Sequence, residues 1–460
     1  MEKQSSAVEI AYGDPASIFK SFSQEKWAIF LDSADAARQL DDTNRFSYIA
    51  IDPFETIFIK NSQCFISGTE VSNPFKYLKN ILDKFKVEHR DDLPPFQGGA
   101  LGYFSYDLCH YLEVINKPHK IEESVYADMA IGLYDVIISF DHVLQKAWIV
   151  SAGISLDNEK SKISKYIEIL KKTNQSISAP MTAEVELVSS FNKKTYADLV
   201  ASAQKYILEG DIFEVNLSHR FKATLDSRLE NKYDLYLKMR SHNPSPFSAF
   251  LNFVDHQILS TSPERFLLLK HNGEVSTRPI KGTAPRGKTS EEDKIISDQL
   301  LMSEKDRSEN IIITDLLRND LSKVCDPNSV KVKKLCGIET YPTVHHLVTV
   351  VEGQIKSDYT ALDLLEACFP GGSITGAPKV RAMQIIYKLE PTQRGPYCGS
   401  IGYIGFSGTM DTSIVIRTLL FHGHTITYQV GGAVILDSSP EEEYEETITK
   451  SVSIRNVLST

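Results

Sequence analysis

The sequence lacks the marks of most familiar sites. Its six cysteines lie far apart, at Cys64, Cys109, Cys325, Cys336, Cys368 and Cys398. No Cys-x-x-Cys pair occurs, which excludes the common zinc and dithiol motifs and leads us to expect reduced thiols in a cytoplasm. No uninterrupted apolar run approaches the roughly eighteen residues of a membrane helix. The first five residues, Met1 to Ser5, are polar and lack the apolar core of a signal peptide. No basic run offsets the net charge of −10, which argues against nucleic acid or an anionic membrane as partner. The loop before Lys379 is not a phosphate-binding Walker loop, because Ala377 and Pro378 stand where Lys and Ser/Thr are required. Gly399 to Gly405 does not fit the dinucleotide fingerprint, and no Ser-His-Asp order or nucleophile elbow is found. There is no internal repeat.

What is present is an ordinary globular composition, 42% hydrophobic and 24% charged, in a chain of 460 residues. That length implies two lobes or one large interleaved domain. Ser, Thr, Asn and Pro cluster between Lys171 and Ser190, which divides the chain into 1–175, a linker at 176–190, and 191–460. Before the linker, the runs Trp27–Leu31, Tyr48–Ile51, Ile57–Ile59 and Ala130–Phe140 read as strands of a mostly antiparallel sheet. The glycine-rich segment Gly98 to Phe104 suits a strand where backbones approach closely. After the linker, helical spacing appears over Tyr196–Ile207, from about Glu291 to Asp320, from Pro378, and from Pro440. Strands are expected at His256–Ser260, Phe266–Leu269, Ile414–Leu420 and Thr425–Val430. Helices and strands do not alternate regularly, so the fold class is α+β.

Two acidic pairs could carry chemistry. Asp306 and Glu309, and Glu443 and Glu446, are each three residues apart and share a helix face. Two such faces could clamp a hard cation such as Mg²⁺. Each pair taken alone also reads as acids that favour a helix N-terminus. Phe369 to Lys379 is a glycine-rich helix entry that could bind a carboxylate or serve as a plain loop. Lys281, between a strand and a turn, is an edge charge unless buried beside cations, where its pKa would fall and it could act as a nucleophile. Arg417, within an apolar strand, wants an anionic partner. Glu264 follows a turn and is either a base or a surface acid.

Taken together, these segments resemble the chorismate-utilising enzymes. The matching stretches are Ser262–Phe266, Arg278–Thr283, Asp315–Asp320, His346–Thr349, Phe369–Met383, Arg394–Tyr403, Ile416–Thr418 and Asp437–Lys450, with Pro95–Leu108 before the linker. The resemblance implies two packed antiparallel sheets flanked by helices. It implies Mg²⁺ at Asp306, Glu309, Glu443 and Glu446, with Asp306 standing where relatives mostly have Glu. It implies a chorismate pocket lined by Thr283, His346, Gly376, Ala377, Tyr397, Arg417, Gly431 and Lys450, and Glu264 as general acid/base. Glu214 and Ala433 depart from the commoner Gln and Gly.

Within the family, Pro279-Ile-Lys281-Gly-Thr283 is similar to the aminodeoxychorismate synthase component I branch, whereas anthranilate synthases usually carry Ala at the lysine position. That likeness implies that a neutral Lys281, its pKa lowered, attacks C2 of chorismate. Ammonia from a separate glutaminase subunit then displaces it to give 4-amino-4-deoxychorismate. Leu31-Asp-Ser33 and Asn243-Pro244-Ser-Pro246, with Phe247, partly match motifs that build a tryptophan pocket. Anthranilate synthase component I, and a non-catalytic tryptophan-binding subunit, are the alternatives.

Overall fold

The computed structural model describes residues 4–34, 42–60, 63–67, 69–71, 74–115, 122–154, 156–172, 185, 187–224 and 231–459. Two 12-stranded sheets form the frame, and their ladders are antiparallel. One sheet runs in the order Lys146–Ser151, Val136–Asp141, Phe46–Ala50, Ala28–Asp32, Phe247–Asn252, His256–Ser262, Thr418–His422, Thr425–Val434, Glu214–Thr224. The other runs Ile280–Pro285, Val344–Gln354, Glu274–Thr277, Arg265–Leu269, Met410–Ile414, Ser400–Gly405, Gly99–Phe104, Met129–Tyr134, Glu55–Lys60. Each sheet takes strands from both ends of the chain. The expected linker falls largely outside the described residues.

Strand alternation sets the layers. Ile29, Ala50, Leu251 and Leu420 of the first sheet pack against Leu101, Tyr103, Ala130 and Ile401 of the second in one buried cluster. One residue on from Ile29, Phe30 points the other way. It packs with Phe250 under Tyr233 and Met239 of helix Lys232–His242 and Leu458 of helix Pro440–Ser459. The fold is thus the expected α+β pair of sheets with helices outside. Gly102 shows why glycine is needed in its strand: a Cβ there would stand 2.0 Å from the Ala130 carbonyl oxygen.

Three expected elements differ. The run Ala130–Phe140 is two strands, Met129–Tyr134 and Val136–Asp141, which lie in different sheets. The chain crosses at Asp135, whose buried carboxylate pairs with Lys162 at 2.6 Å. Both faces of both strands are buried, so apolar periodicity carries no sign of the crossing. The helical stretch from Glu291 to Asp320 is two helices, Ser290–Met302 and Glu304–Ser322. Ser303 breaks it with extended backbone and caps the second helix by accepting from the Asp306 N–H. Finally, Ile414–Leu420 is no single strand. Met410–Ile414 and Thr418–His422 belong to different sheets, and Arg417 sits between them at φ 51°. Among the described residues, no helix is long and apolar enough to cross a membrane. All six cysteines are free and buried.

Candidate active site

Strand Ile280–Pro285 lies at the edge of the second sheet, and a bulge between Ile280 and Thr283 aims Lys281 inward. Lys281 is 7% exposed, and its Nζ donates to Glu214 Oε1 at 2.5 Å. Glu214 opens strand Glu214–Thr224 of the other sheet and is fully buried. The pair therefore bridges the two sheets. Burial lowers the lysine pKa, but Glu214, and then Glu309, more than offset this and hold it above the ordinary value. That reverses the expected lowering. A carboxylate replaces the cationic surroundings that the expectation required.

Around this pair stand the four acids. Gly282, at φ +84°, lets Asp306 approach: a Cβ there would meet the Asp306 carboxyl carbon at 2.9 Å. Glu309, one turn on along helix Glu304–Ser322, is buried, and its Oε1 has no hydrogen-bond partner. Burial raises its pKa to about 7, with Lys281 acting against the rise. Glu443, on helix Pro440–Ser459, accepts through Oε1 from Ser438 at 2.8 Å and Lys305 at 3.2 Å, while its buried Oε2 has no partner. Gly432 makes room for Glu443, since a Cβ there would stand 3.0 Å from its Oε2. Glu446 pairs with Lys450 at 2.6 Å, which outweighs burial and lowers its pKa. Lys450 also donates to the Gly431 carbonyl at 3.0 Å.

Buried carboxylate oxygens without partners, on two facing helices, fit a hard divalent cation. The four acids do not converge as three oxygens within 4.8 Å of one another. Lys305 draws on Glu443, Glu309 and Glu446, and their charge holds its ammonium pKa up against burial.

Glu264 also lies within electrostatic reach of Lys281. It is buried in the step between His256–Ser262 and Arg265–Leu269, not a surface acid. Its Oε1 accepts from Ser373 Oγ at 2.6 Å and from the Ile280 N–H at 3.4 Å. Burial raises its pKa to about 7. Ser373 belongs to the glycine-rich segment, a buried turn that leads into helix Lys379–Leu389. Lys379 ties it down by donating to Asp320 at 2.5 Å and to the Cys368 carbonyl at 2.6 Å. Gly376 and Ala377 pair with Val215 and Glu214. Gly376, at φ +136°, is needed because a Cβ would meet the Glu214 carbonyl oxygen at 2.3 Å. Pro378 precedes helix Lys379–Leu389 with extended backbone, so it stands at the N-cap position, with no capping side-chain hydrogen bond, and not in the first turn.

Thr283 and His346 face each other across the ladder, Oγ1 to Nδ1 at 2.8 Å. Arg417 is partly buried and donates to Asn243 Oδ1 at 3.2 Å. Among the described residues no carboxylate pairs with it, and burial lowers its pKa, opposed by Tyr428 and Tyr341. An arginine in that state is complementary to a carboxylate ligand. Tyr397 is buried beside Arg394. Arg394 is structural: it forks onto Glu390 and the Ile374 and Asn216 carbonyls. Glu214 is the residue that local sequence reasoning left without a role. Its signal was its departure from Gln at a buried strand start.

A separate cavity of about 670 Å³ lies between the sheets. Ser33 and Phe247 line it, with Asp32, Arg265 and Asp411. Asn243 and Pro244 do not line it; the Asn243 side chain turns to Thr261 and Arg417.

Two interleaved sheets carry a lysine buried among carboxylates at one edge and, on a crossing between them, an arginine with no carboxylate partner among the described residues. The chain belongs to the chorismate binding enzyme family, whose pattern matches residues 28–456. It is 39% identical over 440 residues to aminodeoxychorismate synthase component 1 of Escherichia coli (strain K12), covering 94% of this chain and 93% of that one. It is also 37% identical over 399 residues to anthranilate synthase component 1 of Aquifex aeolicus (strain VF5), covering 85% and 80%. The crystal structure of anthranilate synthase component I from Streptococcus pneumoniae TIGR4 superposes with a TM-score of 0.80 at 32% identity, covering 91% of this chain and 94% of that one.

Proposed function

We propose that the chain is the aminating component of an aminodeoxychorismate synthase. It would convert chorismate and ammonia, the latter from a separate glutaminase subunit, to 4-amino-4-deoxychorismate. The observation that carries this reading is Lys281, buried at the sheet edge beside Glu214 and within electrostatic reach of Glu264. Both kinds of relative have similar identity, so the branch rests on that lysine.

The roles follow from position. Asp306, Glu309, Glu443 and Glu446 would hold Mg²⁺, which when bound supplies positive charge for the ring carboxylate and its developing charge. Arg417, Thr283, His346, Tyr397 and Lys450, with the backbone at Gly376, Ala377 and Gly431, would bind and orient the two carboxylates of the substrate. Lys281 Nζ passes a proton to Glu214 and bonds to C2. The C4–oxygen bond breaks as Glu264 donates a proton, and water leaves. Ammonia then bonds to C4 and the C2–nitrogen bond breaks, Lys281 recovers its proton from Glu214, and a proton of the new C4 ammonium returns to Glu264. The large cavity would take a tryptophan-sized ligand through Ser33 and Phe247.

Anthranilate synthase component I is the second reading, favoured by the solved relative and by the overlap in identity. Purified chain with chorismate, Mg²⁺ and ammonium at alkaline pH separates them, with product identified by mass and fluorescence. The expected product is 4-amino-4-deoxychorismate. Anthranilate would overturn the branch assignment, and isochorismate would overturn amination.

A further inference from the structure

A second cluster of metal-binding side chains stands away from the carboxylates, at the rim of the large cavity. His89 and Asp91 come from the segment that follows helix Pro74–Lys84, and His271 from the turn between Arg265–Leu269 and Glu274–Thr277. The two imidazole rings stack with centroids 4.4 Å apart and planes at 12°. Both place Nε2 near the same oxygen, Asp91 Oδ1, at 3.8 Å from His89 and 3.3 Å from His271. All three ligand atoms lie within 4.8 Å of one another. Donors bound at 2.0–2.1 Å to a tetrahedral zinc ion stand about 3.4 Å apart, so the spacing suits one ion once a ring, His271 on its half-exposed turn, rotates out of the stack to bring its in-plane lone pair onto it.

The surroundings favour that role over a chance surface cluster. His89 Nδ1 lies 3.4 Å from Ser407 Oγ, which occupies that side of the ring and leaves Nε2 as the free ligand atom. Neighbouring charges are already engaged. Asp92 is forked by Arg90, at 3.0 and 2.6 Å, and Lys270 pairs with Glu274 at 2.7 Å. Gln97 clamps the Arg90 N–H and carbonyl, so the segment bearing His89 and Asp91 is braced before any ligand arrives. The His271 turn is closed by the Lys270 and Glu274 backbones at 2.9 Å, with Gly273 at φ +82°.

We propose that His89, Asp91 and His271 bind a first-row divalent metal ion, zinc by ligand type, with water completing the tetrahedron. The ion would staple an N-terminal segment to a C-terminal hairpin at the mouth of the cavity. This site is independent of the substrate assignment. The ligands are borderline-soft imidazoles, where the catalytic set is all oxygen, so the two prefer different ions.

The test is titration of the full chain with zinc chloride against a chromophoric chelator, in millimolar Mg²⁺ so that the carboxylate cluster is occupied. The expected result is one tightly bound equivalent. His271→Ala, at a half-exposed turn, should weaken binding by more than about tenfold, as should His89→Gln. Glu443→Gln should leave it intact. Cobalt substitution should give a four-coordinate visible spectrum that His271→Ala loses. Zinc should also raise the melting temperature of the parent chain and not of His271→Ala. Absence of stoichiometric binding, or binding equal in parent and His271→Ala, would overturn the proposal.

Discussion

Lys281 Nζ lies 2.5 Å from Glu214 Oε1, and this contact joins the edge of one sheet to the opening of a strand in the other. It holds the lysine as an ammonium, whereas attack on carbon requires the free amine. Glu214→Gln removes the leading charge that keeps the proton on. The rate of adduct formation, followed against pH without ammonia, should rise at lower pH than in the parent, by at least about one unit. An unshifted profile would show that Glu214 does not govern the lysine.

Glu264 acts as an acid only while protonated, and burial places its pKa at about 7. Turnover should therefore fall as pH rises past 7, on a limb that Glu264→Gln lacks. The same variant should lose about 10²–10⁴-fold in kcat. Loss confined to KM would instead assign Glu264 to binding.

Glu264 and Glu309 both have folded pKa values near 7, raised from 4.5. A carboxyl with a raised folded pKa binds its proton more tightly in the native state, so stability falls as pH climbs from about 4.5 through 7. Metal-free protein should show that decline in melting temperature, and Glu309→Gln should reduce it. Mg²⁺ should restore stability at pH 8, by about 2.7 kcal/mol at a hundred times its dissociation constant. The restoration should be lost in Glu443→Gln.

How much of this was legible beforehand differs between elements. Helix Lys193–Leu208 showed in the spacing of Tyr196, Leu199, Val200 and Ala203, because only one of its faces is buried. The crossing at Asp135 left no mark in the apolar periodicity, because both flanking strands are buried on both faces, and at each crossing the single charged residue, Asp135 or Arg417, was the one sign in the sequence. The acid pairs were visible as spacing, but the approach of two of the acids depends on Gly282 and Gly432, whose missing side chains admit Asp306 and Glu443. Lys281 could be singled out by its motif. The carboxylate beside it could not, since Glu214 is 67 residues away in sequence.

Arg417 has no carboxylate partner among the described residues, so a substrate carboxylate would gain a partly desolvated guanidinium. Arg417→Lys should lose about 1.5–3 kcal/mol of the interaction, roughly ten- to a hundredfold in kcat/KM, mainly through KM. An unchanged KM would remove Arg417 from the substrate site.

Intact-mass measurement of the chain after incubation with chorismate and Mg²⁺, without ammonia, tests the role of Lys281 most directly. The parent should carry an adduct of chorismate less water, which ammonium discharges and which Lys281→Ala never forms. No adduct at any quench time, or an adduct that persists in Lys281→Ala, would contradict the account.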